Sequence, residues 1–117
     1  MKINEISKKY NLSVDTLRYW EKVKIIPQIK RDKNGYRIYS EEDCEWIEFV
    51  HCMRNGGATI AYLKKYLSLA SSKRDTRKER KKLLEKQLLN LKNQLHILQQ
   101  NYDFLEHKIN NWNKYFE

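Results

Sequence analysis

One proline, three glycines and two cysteines are all that this 117-residue chain holds of the residues that break or cross-link a backbone. Cys44 and Cys52 are too few for a disulfide framework or a four-thiolate zinc site. Hydrophobic residues make up 40% of the chain and never run uninterrupted for 18 positions, so no membrane-spanning helix and no membrane partner are expected. The opening MKINEISKKY lacks the apolar stretch of a secretion signal. Both thiols are therefore expected to be reduced, in the cytoplasm. Catalytic signatures are missing as well: there is no glycine-rich phosphate loop, no HExxH, and no serine or cysteine beside a recognisable base and orienting group. The expectation is a cytoplasmic protein of one small domain plus an extension, not an enzyme, with no cofactor and no metal.

What the chain has in quantity is positive charge. Lys and Arg number 24 against 15 Asp and Glu, a formal net charge of +9, which points to a polyanionic partner. The charge is segregated. Residues 1–40 hold ten basic and four acidic residues, residues 41–72 hold three and five, and residues 73–117 hold eleven and six. A basic front and a basic rear flank a slightly acidic middle.

The few breaking residues divide the chain. Pro27 cannot continue a helix, so it closes what precedes it. Asn34-Gly35, between QIKRDK and YRIYS, is the strongest short signal for a hairpin, expected over 28–39. Gly56-Gly57 separates a helix at 41–54 from one at 59–70. From about Thr76 there is neither Gly nor Pro, which permits one long helix.

The first 26 residues read as two short helices around a tight turn. Ile3, Ile6 and Tyr10 recur at helical spacing, Asn11-Leu12 breaks the pattern, and Ser13 suits an N-cap. Val14, Leu17, Trp20 and Val23 then form a second amphipathic stripe. A helix pair of this kind in a basic segment describes a helix-turn-helix, with Ser13, Asp15 and Thr16 as short polar groups at the start of the second helix. Arg18, Lys22 and Lys24 add charge to that helix. The hairpin that follows carries Lys30, Arg31, Lys33 and Arg37 beside Tyr36 and Tyr39, a ribbon suited to lie along phosphates as a wing. One of the two tyrosines is expected to pack the hairpin onto the helices instead.

The second helix, with TLRYWE, the junction GYRIYSEED and the glycine break before a short helix come in an order and spacing that resembles the MerR family of bacterial transcriptional regulators, over about residues 1–70. The resemblance implies a mainly α fold: a winged helix-turn-helix head with a small β-hairpin wing, on double-stranded DNA, and a long C-terminal helix. It places Arg18, Tyr19, Tyr36, Arg37 and Tyr39 where family members approach the duplex. With Ser13, Val14, Thr16 and Lys33 they make up the candidate DNA-binding set. Trp20 stands where tyrosine is more usual, and Asn11 where glycine is. The resemblance also implies a promoter deformed by the bound protein, with RNA polymerase affected indirectly.

Leu84, Leu88, Leu91, Leu95, Leu98, Tyr102, Leu105, Ile109 and Trp112 follow at alternating spacings of four and three, the 3.5-residue period of a coiled coil. Those 28 residues of helix span roughly 42 Å, longer than a domain this small, so a homodimer is expected. The family resemblance makes the pair antiparallel. A second stripe, Leu83, Ile97 and Phe104, is expected to dock on a head. The organisation is then 1–72 as the DNA-binding head, 73–112 as the dimerisation helix and 113–117 as a tail. KRDTRKERKK directly before the leucines also fits a basic-region zipper, but that reading leaves the first 70 residues without a purpose. A coiled-coil interaction protein with incidental charge is the alternative from another class.

On a helix over 41–54, Trp46, Ile47, Phe49, Val50 and Met53 cluster on one side, with Cys44 and Cys52 expected away from its centre. Eight residues apart, the two lie about 12 Å from each other, too far for a disulfide. Cys44 is expected to be a packing residue. For Cys52, the resemblance implies a sensing thiol, because an aldehyde- and electrophile-responsive branch of the family carries a cysteine in this helix. His51, Arg54 and Lys64 or Lys65 are the neighbours expected to favour its thiolate. A non-thiol effector is the alternative signal. Metal-sensing branches use cysteines at the dimerisation helix, where this chain has none.

Overall fold

The computed structural model describes residues 1–115, Tyr115 by its backbone alone. In chain order it forms α1 (Ile3–Tyr10), α2 (Val14–Lys22), β1 (Lys30–Arg31), β2 (Arg37–Ile38), α3 (Glu41–Asn55), α4 (Ile60–Ala70), α5 (Arg77–Asn110) and α6 (Trp112–Tyr115). The fold is mainly α, with one two-stranded antiparallel hairpin and a long C-terminal helix, as expected. Two compact units divide it, Met1–Arg80 and a second beginning at Lys81.

Local chemistry explains several helix boundaries in the first unit. Asn11 ends α1 in the left-handed region (φ 53°), where its short polar side chain is tolerated. Ser13 caps α2 by accepting from the Thr16 N–H at 3.0 Å. Pro27 is not what ends α2; the helix stops at Lys22, five residues earlier. Lys24 takes φ 64° while its N–H donates to Glu21 O (3.2 Å) and the Ile25 N–H donates to Trp20 O (3.1 Å). That is a Schellman closure with lysine in the position that favours glycine. α3 closes in the same way: Gly57 has φ 89°, its N–H donates to Arg54 O at 3.0 Å, and the Ala58 N–H donates to Met53 O at 2.9 Å. Ser40 and Asp43 begin α3 with a reciprocal capping box.

The Asn34-Gly35 hairpin forms, with Lys30 opposite Ile38 and Arg31 opposite Arg37. Its loop is one residue longer than the shortest type. Asp32 and Tyr36 face each other, the Gly35 N–H donates to Asp32 O (3.0 Å), and Gly35 alone takes positive φ, at 84°. The Asp32 carboxylate accepts from the Asn34 and Tyr36 N–H groups and so holds the loop from inside. The other edge of the ribbon is extended by Lys2, bridged to Ile38, and by the Tyr39 N–H, which donates to Met1 O at 2.7 Å.

The core of this unit draws on its first four helices and the segments between them: Ile6 from α1, Leu17 and Trp20 from α2, Ile25, Ile26 and Ile29 from the connection, Ile47 and Val50 from α3, and Leu63 from α4. Each fully covered aliphatic chain here contributes about 1.5–3 kcal/mol relative to exposure. The buried stripe of α3 is Cys44, Ile47, Val50 and Met53. Cys44 therefore belongs to the core rather than lying away from it, and Trp46 and Phe49 move to a half-buried flank beside Tyr66 of α4. The Tyr10 hydroxyl, donating to Glu48 Oε1 at 3.0 Å, ties α1 to α3.

The first unit runs through the start of α5. Thr76 is buried, and its hydroxyl donates to Leu69 O at 2.7 Å. Three cations of KRDTRKERKK find partners nearby: Arg74 forms a two-pronged pair with Glu79 (2.6 and 3.1 Å), Arg77 pairs with Asp75, and Arg80 Nε donates to Thr76 Oγ1. In the second unit, α5 ends at Asn110, where the Asn111 side-chain amide donates to His107 O at 2.8 Å, the acceptor that its own N–H also uses. Trp112, expected on the same helix as the leucines, lies on α6 instead. Of the expected 113–117 tail, residues 113–115 belong to α6, and 116 and 117 lie outside the described residues.

The two Schellman closures differ only in the residue that takes positive φ, which sets opposite expectations. Lys24→Gly should raise stability by about 1 kcal/mol and Gly57→Ala should lower it by about 1–2 kcal/mol. Urea unfolding at fixed protein concentration measures both, and equal midpoints for the two variants would contradict the reading.

Candidate nucleic-acid interface

The expected binding residues separate into an exposed set and a set held by the fold. On α2, Arg18 and Tyr19 face solvent, Tyr19 at 51% exposure. Ser13 is exposed but its hydroxyl oxygen is engaged at the cap and lies 2.7 Å from Thr16 Oγ1; Val14 and Thr16 are half-buried. On the hairpin, Lys33 and Tyr36 are exposed, Tyr36 at 64%. Lys2 Nζ sits 5.9 Å from the centre of the Tyr36 ring, a neighbour that sequence reasoning missed.

Arg37 and Tyr39 were expected at the duplex, and the structure gives them other surroundings. Arg37 Nε donates to Glu21 Oε1 at 2.7 Å, with both side chains largely covered, at 18% and 13% exposure. The other Glu21 oxygen accepts from the Ile29 N–H at 3.3 Å. One carboxylate at the end of α2 thus grips both strands' side of the hairpin, the approach to β1 and β2 itself. Tyr39 is 3% exposed and its ring belongs to the core. Its hydroxyl has no hydrogen-bond partner among the described residues. Burial holds that phenol above its ordinary pKa, with the Arg37 charge pulling the other way. Of the two wing tyrosines, Tyr39 is the one that packs the hairpin onto the helices.

A groove of about 740 Å³ runs between α2, the connection to β1 and α4. Arg18, Lys22, Lys24, Arg37 and Lys64 line it with positive charge, beside Glu21, over an apolar floor of Ile26, Pro27 and Leu67. Lys64, one of the two lysines expected near Cys52, contributes to this groove. Cys52 is exposed on α3 and Cys44 is buried, both as free thiols. The neighbours expected around Cys52 have partners of their own: Arg54 donates to Ala58 O at 2.8 Å, and His51 lies 3.5 Å from the Asn55 amide. Among the described residues no group of three His, Cys, Asp or Glu side chains is placed to hold a metal ion, and no helix is long and apolar enough to cross a membrane.

The profile of the MerR HTH family of regulatory proteins matches residues 1–70, the stretch that supplies the helix pair, the hairpin and the α3–α4 pair. The chain belongs to the MerR family. It is 44% identical over 84 residues to the HTH-type transcriptional regulator AdhR of Bacillus subtilis, a match that covers 72% of this chain and 60% of AdhR. A crystal structure assigned to the MerR family of transcriptional regulators, from Listeria monocytogenes, superposes with a TM-score of 0.91 at 39% identity, over 97% of this chain and 86% of that one. The MerR family regulator HiNmlR, which lacks the sensor domain and was crystallised on promoter DNA, superposes with a TM-score of 0.87 at 29% identity, over 97% and 90% of the two chains.

The geometry gives two MerR signature segments of this chain a shared purpose. The Glu of TLRYWE is Glu21 and the Arg of GYRIYSEED is Arg37, and the two are ion-paired across 16 residues. Glu21 went unnoticed in the sequence because its partner lies on another element; the opposite charges inside two matching motifs were the available signal.

Removing half of a largely covered ion pair leaves the other charge unmatched, so Glu21→Gln should cost about 2–3 kcal/mol. Tyr39→Phe removes a hydroxyl that has no partner, so stability should be unchanged or slightly higher. Thermal or urea unfolding of both variants checks this; a Tyr39→Phe loss above about 1 kcal/mol would reveal a bond to that hydroxyl.

Proposed function

We propose that this MerR-type regulator acts in the cytoplasm as a homodimer that binds a pseudo-palindromic promoter and changes its shape, with RNA polymerase affected through the DNA. The observation that carries the reading is the basic, exposed face of α2 beside a hairpin anchored to that helix by Glu21, in a chain whose relative HiNmlR was crystallised on promoter DNA. Ser13, Val14, Thr16, Arg18 and Tyr19 would meet the major groove, and Lys33 and Tyr36 the neighbouring phosphates. Arg37 acts through Glu21 by setting the wing angle. Tyr39 supports the wing from beneath.

The exposed seam of the C-terminal helix supports the dimer. Leu88, Leu95, Leu98, Tyr102, Leu105 and Ile109 are each between 57% and 68% exposed in the single chain, with Leu84 and Trp112 somewhat less so and Leu91 half-buried. A continuous apolar row of this length on one helix face is what a second copy would cover. Ile97 and Phe104 of the second stripe are exposed as well. Two heads held on one such coiled coil would address half-sites spaced by about one 34 Å helical turn or a multiple of it.

Cys52 is the switch in this reading. Its exposure makes the thiol reachable by an aldehyde or another electrophile, and its place on α3 puts the modified side chain on the unit that carries the DNA-binding face. A non-thiol effector is the competing signal.

Binding should weaken steeply with salt, by about 10³-fold or more between 50 and 200 mM if six or more phosphates are met. Arg18→Ala should reduce the salt slope by about 0.9, one phosphate's share, whereas Glu21→Gln should weaken binding with the slope unchanged. Titrations on the protein's own promoter at several salt concentrations distinguish the two; an unchanged slope for Arg18→Ala removes that residue from the interface. Footprints and transcription with and without an aldehyde or diamide test the thiol, and a full response from Cys52→Ala would rule it out as the sensor.

A further inference from the structure

The acidic middle of the chain builds a cleft from none of the residues assigned to DNA. Trp46 and Phe49 of α3 and Tyr66 of α4 line a depression of about 260 Å³, with Glu42 and Glu45 as its remaining walls. The Phe49 and Tyr66 rings are tilted by 32° to one another, with centroids 4.9 Å apart. The Trp46 indole stands across them, at 90° to Phe49 (5.9 Å) and 66° to Tyr66 (6.0 Å). Two aromatic walls in different orientations therefore meet beside two carboxylates. All three rings are only half-buried. Glu42 and Glu45 are exposed, and neither forms an ion pair among the described residues, in a chain that carries 24 cationic side chains.

Helix-dipole compensation accounts for Glu42, in the first turn of α3, but not for Glu45, which lies beyond it. Trp46 and Phe49 pack against the edge of the core, whose buried stripe on α3 is Cys44, Ile47, Val50 and Met53, and each remains partly exposed on the cleft side. Ring faces carry the negative end of the aromatic quadrupole, and desolvated alkylammonium groups are drawn to them. Carboxylates at the rim supply the opposite charge without demanding a directional hydrogen bond. The volume falls below the 300–1,000 Å³ typical of pockets for drug-sized molecules, and suits a single headgroup.

We propose that this cleft binds a small organic cation with a quaternary or methylated ammonium headgroup. The ligand would touch α3 through Trp46 and Phe49 and α4 through Tyr66, and so clasp the two helices across the Gly56–Thr59 turn. Cys52 lies on the same α3, so the headgroup and the thiol report on one element. The proposal is independent of the DNA-binding reading, because it uses neither α2 nor the wing.

Choline and its neutral isostere 3,3-dimethyl-1-butanol, which replaces the nitrogen by carbon, provide the test. Each is titrated into the full-length chain at constant ionic strength, and the Trp46 indole N–H is followed by NMR, with its signal assigned from a Trp46→Phe variant. Choline should give a saturable shift with half-saturation on the order of 10 mM, and the isostere should need about tenfold more. Glu42→Gln with Glu45→Gln, both conservative and exposed, should raise the choline value about fivefold while the circular dichroism spectrum stays unchanged. A choline shift that stays linear to about 100 mM overturns the proposal. So does equal half-saturation for choline and the isostere, which would make the cleft merely apolar, or an unaltered choline value in the double variant.

Discussion

The arrangement of the head rests on one carboxylate. Glu21, at the end of α2, accepts from Arg37 Nε with one oxygen and from the Ile29 N–H with the other. The two-residue strands of the hairpin cannot hold themselves in place, since an isolated ribbon of that size is marginal in water. Their orientation relative to α2 has to come from outside the ladder, and Glu21 supplies it from the helix whose outer face carries Arg18 and Tyr19. Tyr39 completes the attachment by placing its ring in the core beneath the ribbon. This bracket ties the hairpin to α2, so that the helix and the wing are held side by side.

The net charge of +9 takes on a structure of its own. Part of the rear block is satisfied locally, by Arg74 with Glu79, Arg77 with Asp75 and Arg80 with Thr76, and these bonds organise the entry to α5. Lys73, Lys78, Lys81 and Lys82 stay exposed. In the front block, Arg18, Lys22 and Lys24 share a groove with Lys64 from the nominally acidic middle. The acidity of that middle is likewise localised, with Glu42 and Glu45 around an aromatic cleft and Glu48 bonded to Tyr10. Counting charge by segment therefore identifies the polyanion partner but assigns some individual cations to the wrong place, because packing brings distant segments to a common face.

Much of the fold was legible from spacing alone. The two short helices, the hairpin around Asn34-Gly35, the glycine break and the long helix from about Thr76 all stand within a residue or two of their expected positions. Capping by Ser13 and the closure at Gly57 are local bonds between near neighbours, which a linear sequence displays directly. Less legible were the end of α2, set by Lys24 in a conformation that lysine rarely adopts, and the strand pairing of Lys2 with Ile38, whose partners lie 36 residues apart. On α3, Ile47, Val50 and Met53 are buried as their spacing implies, and Cys44 joins them against expectation. Trp46 and Phe49 are large and apolar and draw a hydrophobic stripe toward themselves, whereas the core selects the smaller Cys44.

The sequence by itself determined the family, the order of elements, the basic partner-seeking face and the heptad row, because each of these depends on residues close together in the chain or on motifs at set intervals. Only the tertiary structure decided which of the nominated residues reach outward. Tyr39 carries chemistry suited to a phosphate, yet the core beneath the hairpin encloses it, and Arg37 lines the basic groove with its Nε held by Glu21. Side-chain type states what a residue can bind, and burial and long-range pairing decide what it is left free to bind.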